Sequence, residues 1–157
     1  MIYRSKAPLR ITFGGGGTDI HPYDKEHGGI CVSATINKYV YCSLKKREDK
    51  KIKIISWDFN KEQSFKDKED IKYNGTLDLI KAVIKRMNPD FGFELYVRSD
   101  VSMHSGLGLS AAAAVAAIGA FNHLRAKDRL TKHKIAELAF QIEKDEIGNI
   151  GGRQDQY

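Results

Sequence analysis

The amino-acid sequence predicts an α+β domain, and three observations carry that prediction. Its 157 residues, 41% hydrophobic and 29% charged, suffice for one domain with its own core. Stretches rich in β-branched and aromatic residues dominate up to about residue 66, whereas helical periodicity dominates after it. A single strand–loop–helix unit lies around residue 105. Strands first and helices after, with one such unit, indicate an α+β domain over residues 1–157.

The first part of the chain is predicted to form strands. Residues 2–13, IYRSKAPLRITF, carry β-favouring side chains on both sides of a proline, so they form one kinked strand or two short pieces. The GGGGTD segment at residues 14–19 is a turn or a binding loop. Residues 29–44 alternate and form two strands or one bent strand. Residues 51–57, with 63–66 as a further candidate, add an antiparallel layer.

The second part is predicted to be helical apart from one strand. Apolar residues recur at helical spacing over residues 76–87, and the pattern stops at an Asn-Pro pair, which is typical of a helix end. The strand at residues 91–101 leads into a glycine-rich loop, which opens an alanine-rich helix running to about residue 125. Thr131 is the expected N-cap of a last helix that ends near residue 148.

Composition and charge disfavour several classes of protein. The net charge of +6 is scattered, and its densest cluster, KKREDKK, is interrupted by two acids, so it is weak evidence for nucleic-acid binding. The first residues lack the apolar run of a signal peptide, and the longest apolar stretch, AAAAVAAIGAF, is too short to span a bilayer. Cys31 and Cys42 match no metal-ligand spacing and are expected as buried free thiols. We therefore expect a cytoplasmic protein that binds neither membranes nor nucleic acid.

The most informative stretch is HSGLGLSAAAAV at residues 104–115. A helix that begins within it leaves its first backbone N–H groups free, and the glycines allow a phosphate to approach them. A Walker A loop is excluded, because the loop and the helix after it contain no lysine. Gly106, Gly108 and Ala111 formally fit a dinucleotide fingerprint, but the second strand ending in an acid is missing. A tight turn into a helix of small residues, without any ligand, stays open as the alternative.

Three stretches of the chain resemble motifs of one kinase superfamily, and they occur in the same order as in that superfamily. SGLGLSAA resembles the central loop of the galactokinase, homoserine kinase, mevalonate kinase and phosphomevalonate kinase (GHMP) superfamily. APLRITFGGGGTD resembles its first motif, and GGRQDQY resembles the segment that holds its catalytic aspartate. Within the superfamily, these motifs together with EHGGICVSATINKYVY are most similar to D-glycero-D-manno-heptose 7-phosphate kinases. The resemblance implies the N-terminal ATP-binding domain, a two-layer sandwich of mostly antiparallel strands and helices.

The resemblance implies an ATP and Mg²⁺ site at the glycine loop. Ser110 matches the serine whose hydroxyl meets Mg²⁺ and the phosphates, although a plain serine in a first helical turn is the alternative. Glu143 lies at the separation from Asp155 expected of the metal-binding glutamate, with Asp145 and Glu146 as competitors and a solvated helix residue as the alternative. Mg²⁺ takes only one or two protein oxygens. The nucleotide-binding candidates are Ser105, Gly106, Leu107, Gly108, Leu109, Ser110 and Ala111, where Leu109 replaces the usual first serine.

The resemblance also assigns a catalytic pair. Asp155 matches the aspartate beside the acceptor hydroxyl, and Arg10 matches the basic residue of the first motif that faces it. An arginine there favours the charged form of the aspartate, so the pair does not make a powerful base. Phosphoryl transfer has a loose transition state, so an aspartate that orients the hydroxyl and takes its proton late suffices. A polar surface tail is the alternative for this segment.

Sugar-binding candidates come from the first motif. Asp19 matches the sugar-binding aspartate of the galactokinase-like RxxxxxxxTD pattern, with Thr18 before it. Gly16 and Gly17 stand where galactokinases have a Glu and a His, which leaves room and amide donors for a bulkier or phosphorylated sugar. A simple turn residue is the alternative for Asp19. Tyr23 and Arg153 are further candidates for contacts with the substrate, and each can equally be a surface or packing residue. Trp57 is expected in the core, and the alternative is that it borders the adenine.

The resemblance implies a sugar kinase that phosphorylates the anomeric hydroxyl of D-glycero-D-manno-heptose 7-phosphate. Three rivals remain: a kinase of another sugar, a dinucleotide-binding oxidoreductase, and a non-enzymatic RNA-binding domain whose affinity would fall steeply with salt. Members of the resembled family continue past the DQ segment, GGRQDQY at residues 151–157 here, into a second domain. We therefore expect weak or absent turnover from these 157 residues, and an exposed apolar surface that promotes a homodimer.

Overall fold

The alternating segments form the strands of one sheet. The structure is a computed structural model that describes residues 1–58, 60–125, 127–149 and 151–157. Its strands are β1 (Ile2–Gly14), β2 (Val32–Lys46), β3 (Ile52–Ser56), β4 (Lys61–Phe65) and β5 (Phe93–Ser99). Its helices are α1 (Tyr23–His27), α2 (Asp78–Met87), α3 (Leu109–His123) and α4 (Lys132–Asp145), with short 3₁₀ turns at Gly16–Asp19 and Lys68–Asp70. The predicted α+β fold is confirmed.

The five strands have the spatial order β1-β2-β5-β3-β4. All neighbouring pairs are antiparallel except β3 and β5, which run parallel. The expected antiparallel pairing of β3 and β4 is confirmed, whereas the parallel pairing of β3 with β5 departs from the antiparallel arrangement expected there. The helix α2 lies between β4 and β5 in the chain, and a connection of that length allows β5 to return parallel to β3.

Side chains of one sheet face pack under the helices and form the core. Val40, Cys42 and Leu44 alternate along β2 with more exposed neighbours, and Leu95 of β5 is equally buried. The helix α3 packs on β1 and β2 and lies between α2 and α4. Because α3 is covered on several sides, it lacks a polar face and is built of alanines, whose small side chains allow close approach on every side. Phe121 completes the contact edge-on to a phenylalanine of β5.

Most of the predicted boundaries are confirmed to within a few residues. The helix at 76–87 spans Asp78–Met87, and Thr131 caps α4 by accepting a hydrogen bond from the N–H of Lys134 at 3.3 Å. β1 is one strand whose pairing with β2 shifts register between Pro8 and Arg10, where the proline cannot donate to the ladder. The sequence does not predict the short helix α1, because five residues are too few to show helical periodicity.

Two packing predictions are wrong. Trp57 is not in the core: 63% of its surface is exposed, since it follows the last residue of β3 on the open side of the sheet beside Tyr96. Cys42 is buried as expected, whereas Cys31 is only half-buried because it lies in the loop before β2.

The long strands β1 and β2 extend beyond the sheet as a two-stranded ribbon. β2 pairs with β5 only from Val40 onward, whereas it pairs with β1 from Val32. Exposed apolar side chains gather near the end of this ribbon, with Phe13 exposed by 72% and Ile30 by 80%. The expected exposed apolar surface is present, and the homodimer stays a prediction. The base of the ribbon carries Arg10, which belongs to the candidate site.

One lysine is completely buried beside the N-terminus of α2. The ammonium of Lys81 donates to the Lys72 carbonyl at 3.0 Å, to Asn74 Oδ1 at 2.6 Å and to Asp78 Oδ1 at 3.0 Å. Asp78 in turn accepts from the backbone N–H of Asn74 and of Gly75. Lys81 therefore ties the loop before α2 to its first turn.

Among the helices in the described ranges, none combines the length and the apolar character needed to cross a membrane.

Candidate active site

Three distant segments meet at the guanidinium of Arg10. Its Nε donates to Asp155 Oδ1 at 2.7 Å and its Nη2 donates to the same oxygen at 2.5 Å. Its Nη1 donates to the carbonyl of Gly106 at 2.7 Å, and its backbone N–H donates to the carbonyl of Leu107 at 3.2 Å. The predicted catalytic pair is thus in direct contact, and the same arginine fixes the glycine loop. Charge-assisted hydrogen bonds of this kind are short and directional.

The glycine loop leaves a set of backbone donors free. Within the described ranges, no backbone N–H from residue 105 to residue 111 donates a hydrogen bond, as expected for a loop that enters a helix. Gly106 and Gly108 have φ values of +72° and +77°, the left-handed region that favours glycine. A Cβ on Gly108 would lie 3.3 Å from Cγ of Asp155. The free amides and the aspartate carboxylate therefore lie side by side, as the sequence analysis requires.

The two predicted metal ligands are hydrogen-bonded to each other. The hydroxyl of Ser110 donates to Glu143 Oε1 at 2.9 Å, although the residues are 33 positions apart. Asn149 Nδ2 donates to the same oxygen at 3.0 Å, and Gln156 Nε2 donates to Glu143 Oε2 at 2.9 Å. Glu143 is buried, which excludes the alternative of a solvated helix residue. Of its competitors, Glu146 instead accepts a hydrogen bond from Tyr73.

The donor set at Glu143 fits Mg²⁺. A serine hydroxyl and a carboxylate are the hard oxygen ligands that Mg²⁺ prefers, and one or two of them suffice because the ion retains waters. Beside this pair, Oε1 of Gln156, whose Nε2 donates to Glu143, is buried and has no hydrogen-bond partner. Across the described ranges, no group of three or more His, Cys, Asp and Glu side chains is arranged to hold a metal ion. Ser110 and Glu143 are thus the residues that would hold Mg²⁺.

The predicted sugar-binding aspartate lies against the last segment of the chain. Asp19 Oδ2 accepts a hydrogen bond from the backbone N–H of Gln154 at 2.8 Å, and a Cβ added at Gly152 would clash with Asp19. Thr12 Oγ1 donates to Gln154 Oε1 at 2.9 Å, which fixes the orientation of that amide. A Cβ on Gly16 would lie 3.3 Å from Gln154 Nε2. The first motif and the DQ segment therefore form one surface.

Thr18 holds the glycine turn in shape. Its hydroxyl donates to the Gly15 carbonyl at 2.7 Å and accepts from the backbone N–H of Ile30 at 3.0 Å. Cys31 Sγ donates to the same Gly15 carbonyl at 3.1 Å. Burial and the nearby charge of Asp19 raise the pKa of the Cys31 thiol. Thr18 thus supports the loop. A Cβ added at Gly17 would meet no atom within 4 Å other than those of its chain neighbours.

Two side chains that are predicted to contact the substrate instead contact other side chains of the protein. Tyr23 packs against the ring of His27 with centroids 4.9 Å apart. Arg153 pairs with Glu137 of α4 at 3.3 Å and covers the ring of Phe140, and its guanidinium lowers the pKa of Glu137. Both side chains are exposed and engaged in packing, which is the alternative that the sequence analysis left open.

Sequence reasoning missed four polar side chains of this site: Thr12, Asn149, Gln154 and Gln156. Gln154 and Gln156 flank Asp155, so a polar residue on each side of the catalytic candidate was the available signal. One glutamine faces the sugar candidate Asp19 and the other faces the metal candidate Glu143. Asn149 lies in a loop after α4, and no pattern in the sequence distinguishes it.

Comparison with known protein families gives a match over the second half of the chain. The family model described as the GHMP kinases N-terminal domain matches residues 76–157. The chain is also 40% identical over 159 aligned positions to a D-glycero-alpha-D-manno-heptose 7-phosphate kinase from Campylobacter jejuni. That alignment covers 98% of this chain and 47% of the relative. The chain therefore spans about half the length of the curated relative that it matches.

Solved structures give the same picture of the fold. A crystal structure of a D-glycero-D-manno-heptose 1-phosphate kinase from Bacteriodes thetaiotaomicron superposes with a TM-score of 0.90 at 33% identity. It covers all of this chain, which corresponds to 52% of that protein. The mevalonate kinase of Methanococcus jannaschii superposes over 99% of this chain and 49% of its own length, with a TM-score of 0.77 at 23% identity. The mevalonate kinase match supports the fold alone.

Proposed function

Since the chain belongs to the GHMP kinase family, we propose that it forms the nucleotide- and sugar-binding half of a sugar kinase. The acceptor is the anomeric hydroxyl of D-glycero-D-manno-heptose 7-phosphate, and the donor is ATP with Mg²⁺. The observation that carries the proposal is the contact of Asp155 with Arg10 and with Gly108 of the glycine loop. It brings a proton acceptor for the sugar hydroxyl next to the amides that receive the phosphates.

The glycine loop receives the triphosphate of ATP. The free N–H groups of residues 105–111 supply donors, and the N-terminus of α3 adds the positive end of a helix dipole. Arg10 contributes a cationic guanidinium at the same place, held on the Gly106 carbonyl and on Asp155. Mg²⁺, held at Ser110 and Glu143, would neutralise charge on the phosphate oxygens.

Asp155 orients the acceptor and removes its proton. The sugar oxygen attacks the γ-phosphorus, the bond from that phosphorus to the bridging oxygen of ADP breaks, and the hydroxyl proton passes to the Asp155 carboxylate. The transition state is loose, so orientation and charge neutralisation supply most of the catalysis. Arg10 holds one Asp155 oxygen through two hydrogen bonds and leaves the other oxygen free to face the acceptor.

The substrate assignment rests on the sugar surface and on the relatives. Asp19 accepts from sugar hydroxyls, and Gly16 and Gly17 leave space where galactokinases carry larger side chains. Gln154 presents its Nε2 amide toward that space, because Thr12 occupies its oxygen. The Campylobacter jejuni relative is named for the 7-phosphate and the Bacteriodes thetaiotaomicron structure for the 1-phosphate, so both sugars enter the test.

Nucleotide binding tests the first half of the proposal. The 157-residue chain is titrated with a fluorescent ADP analogue with Mg²⁺ and with EDTA. We expect binding that strengthens with Mg²⁺ and is displaced by ATP but not by NAD. Binding of NAD in preference to ATP, or of RNA with a steep salt dependence, would replace the kinase by the oxidoreductase or the RNA-binding domain, respectively.

Phosphoryl transfer tests the second half. The chain is fused after Tyr157 to the C-terminal half of the Campylobacter jejuni relative and assayed by ADP release with heptose 7-phosphate, heptose 1-phosphate, galactose and mevalonate. We expect turnover with the 7-phosphate and a loss of at least about 100-fold in kcat for Asp155→Asn, in line with the loss of a general base. Undiminished activity of Asp155→Asn refutes the role of Asp155. Turnover with a different sugar from the panel refutes the acceptor alone.

A further inference from the structure

We propose that Gln156 is a positioning residue, which holds the carboxylate of Glu143 in the orientation that Mg²⁺ requires. This inference rests on the proposed function and extends it to a residue that does not itself touch the metal or the substrate. Its basis is the hydrogen bond from Gln156 Nε2 to Glu143 Oε2 at 2.9 Å, between two buried side chains.

Glu143 depends on neutral donors. Its residue surface is 6% exposed, and within the described ranges no Lys, Arg or His forms an ion pair with it. A buried carboxylate without a cation needs hydrogen-bond donors to offset its lost hydration. The donors are Ser110, Asn149 and Gln156. Removing one of them therefore changes how the carboxylate is held.

The three donors are unequally divided between the two carboxylate oxygens. Ser110 and Asn149 both donate to Oε1, whereas Gln156 alone donates to Oε2. Two bonds to one oxygen leave the carboxylate free to rotate about that anchor. The single bond from Gln156 to the second oxygen removes this rotation. A group that donates a hydrogen bond to a metal ligand and fixes its orientation raises the affinity for the metal.

Gln156 also joins the metal candidate to the catalytic candidate. It follows Asp155 directly, and its backbone N–H closes a turn on the carbonyl of Arg153 at 3.2 Å. Arg10 anchors Asp155 on one side of this turn, and Glu143 anchors Gln156 on the other. The spacing between the acceptor aspartate and the metal carboxylate is thus set by one short, doubly anchored segment.

Packing alone does not explain a glutamine at this place. Its Oε1 is buried without a hydrogen-bond partner, and leaving a buried polar atom unsatisfied destabilises the fold. A methionine has similar length and carries no such cost. Unlike a methionine, the glutamine has an N–H group, which it donates to Glu143. Gln156→Met therefore removes the proposed role while retaining the volume of the side chain.

The test measures the gain in nucleotide affinity that Mg²⁺ brings, using the fluorescent ADP analogue and the 157-residue chain. Gln156→Met is compared with Gln141→Met, a glutamine of α4 that makes only a 3.4 Å contact with Glu137. We expect Gln156→Met to lose about tenfold of the Mg²⁺-dependent gain, the lower end for groups that orient metal ligands. Its affinity in EDTA stays within twofold of the parent, and Gln141→Met retains both affinities.

Each other outcome is decisive. A parent chain without any Mg²⁺-dependent gain refutes the proposed function, and this inference with it. A parent with the gain and a Gln156→Met variant that keeps it refutes the inference alone. Equal losses with Mg²⁺ and with EDTA, together with a lower melting temperature, make Gln156 a structural residue and also refute it. If Gln156→Met does not fold, Gln156→Asn, whose amide is too short to reach Glu143, takes its place.

Discussion

Replacing Gly108 by alanine perturbs the candidate site at one defined point. Gly106 and Gly108 both have positive φ, so an alanine at either position meets the same backbone strain. Their surroundings differ, because a Cβ on Gly106 has nothing within 4 Å, whereas a Cβ on Gly108 lies 3.3 to 3.5 Å from three side-chain atoms of Asp155. Gly106→Ala is therefore a matched control for the contact with the aspartate.

The expected loss of unfolding free energy has two parts. Left-handed backbone costs an alanine roughly 1–2 kcal/mol, and both variants carry this cost. The extra contact of Gly108→Ala pushes on a carboxylate that Arg10 holds at 2.5 and 2.7 Å, so the strain is not relieved freely. We expect an additional cost of about 1 kcal/mol, the lower end for overpacking. For a chain of this length that corresponds to a further fall in melting temperature of about 2–4 °C.

Urea unfolding of both variants measures these costs, and the Asp155→Ala background isolates the contact. Removing the Asp155 carboxylate takes away the two closest atoms, so the difference between Gly108→Ala and Gly106→Ala should fall to within about 0.5 kcal/mol in that background. Equal unfolding free energies for the two variants in the parent chain would refute the reasoning. A difference that persists without the carboxylate would assign it to the backbone instead.

Three further predictions concern the fold. Lys81→Ala should lower the unfolding free energy by about 1–3 kcal/mol in urea, since it removes the buried partner of an ion pair and leaves its hydrogen-bond acceptors without a donor; no measurable loss would contradict this. Burial raises the pKa of Cys42 to about 12, so a thiol reagent at pH 8 should label Cys31 in the folded chain and Cys42 only in denaturant, which peptide mass spectrometry measures; early labelling of Cys42 would contradict its burial. The Arg47 guanidinium lowers the pKa of Asp49 from 3.8 to about 2, so the pair stabilises the fold above pH 4 and this stabilisation is lost toward pH 2; Arg47→Ala should flatten that part of the pH profile of urea unfolding, and an unchanged profile would contradict it.

The predictable part of the site followed from local chemistry. Two glycines before a run of alanines indicate a loop that opens a helix, and a helix start leaves amides free wherever it lies. Ser110 and Glu143 are expected as metal ligands from the resemblance to the GHMP superfamily, and their contact at 2.9 Å joins residues from two helices. Trp57 was misplaced because a lone tryptophan at a strand end gives no sign of which sheet face it occupies.

The sequence alone determined the α+β class and the helix α3, because propensity, periodicity and turn chemistry act between near neighbours, whereas the polar candidates and the facing of Arg10 and Asp155 were expected from the resemblance to the GHMP superfamily. Only the tertiary structure decided that β3 runs parallel to β5 and that Gln154 and Gln156 contact Asp19 and Glu143, respectively. These contacts join residues up to 135 positions apart. They depend on how the strands and helices pack as layers, and no short-range pattern in the chain encodes that arrangement.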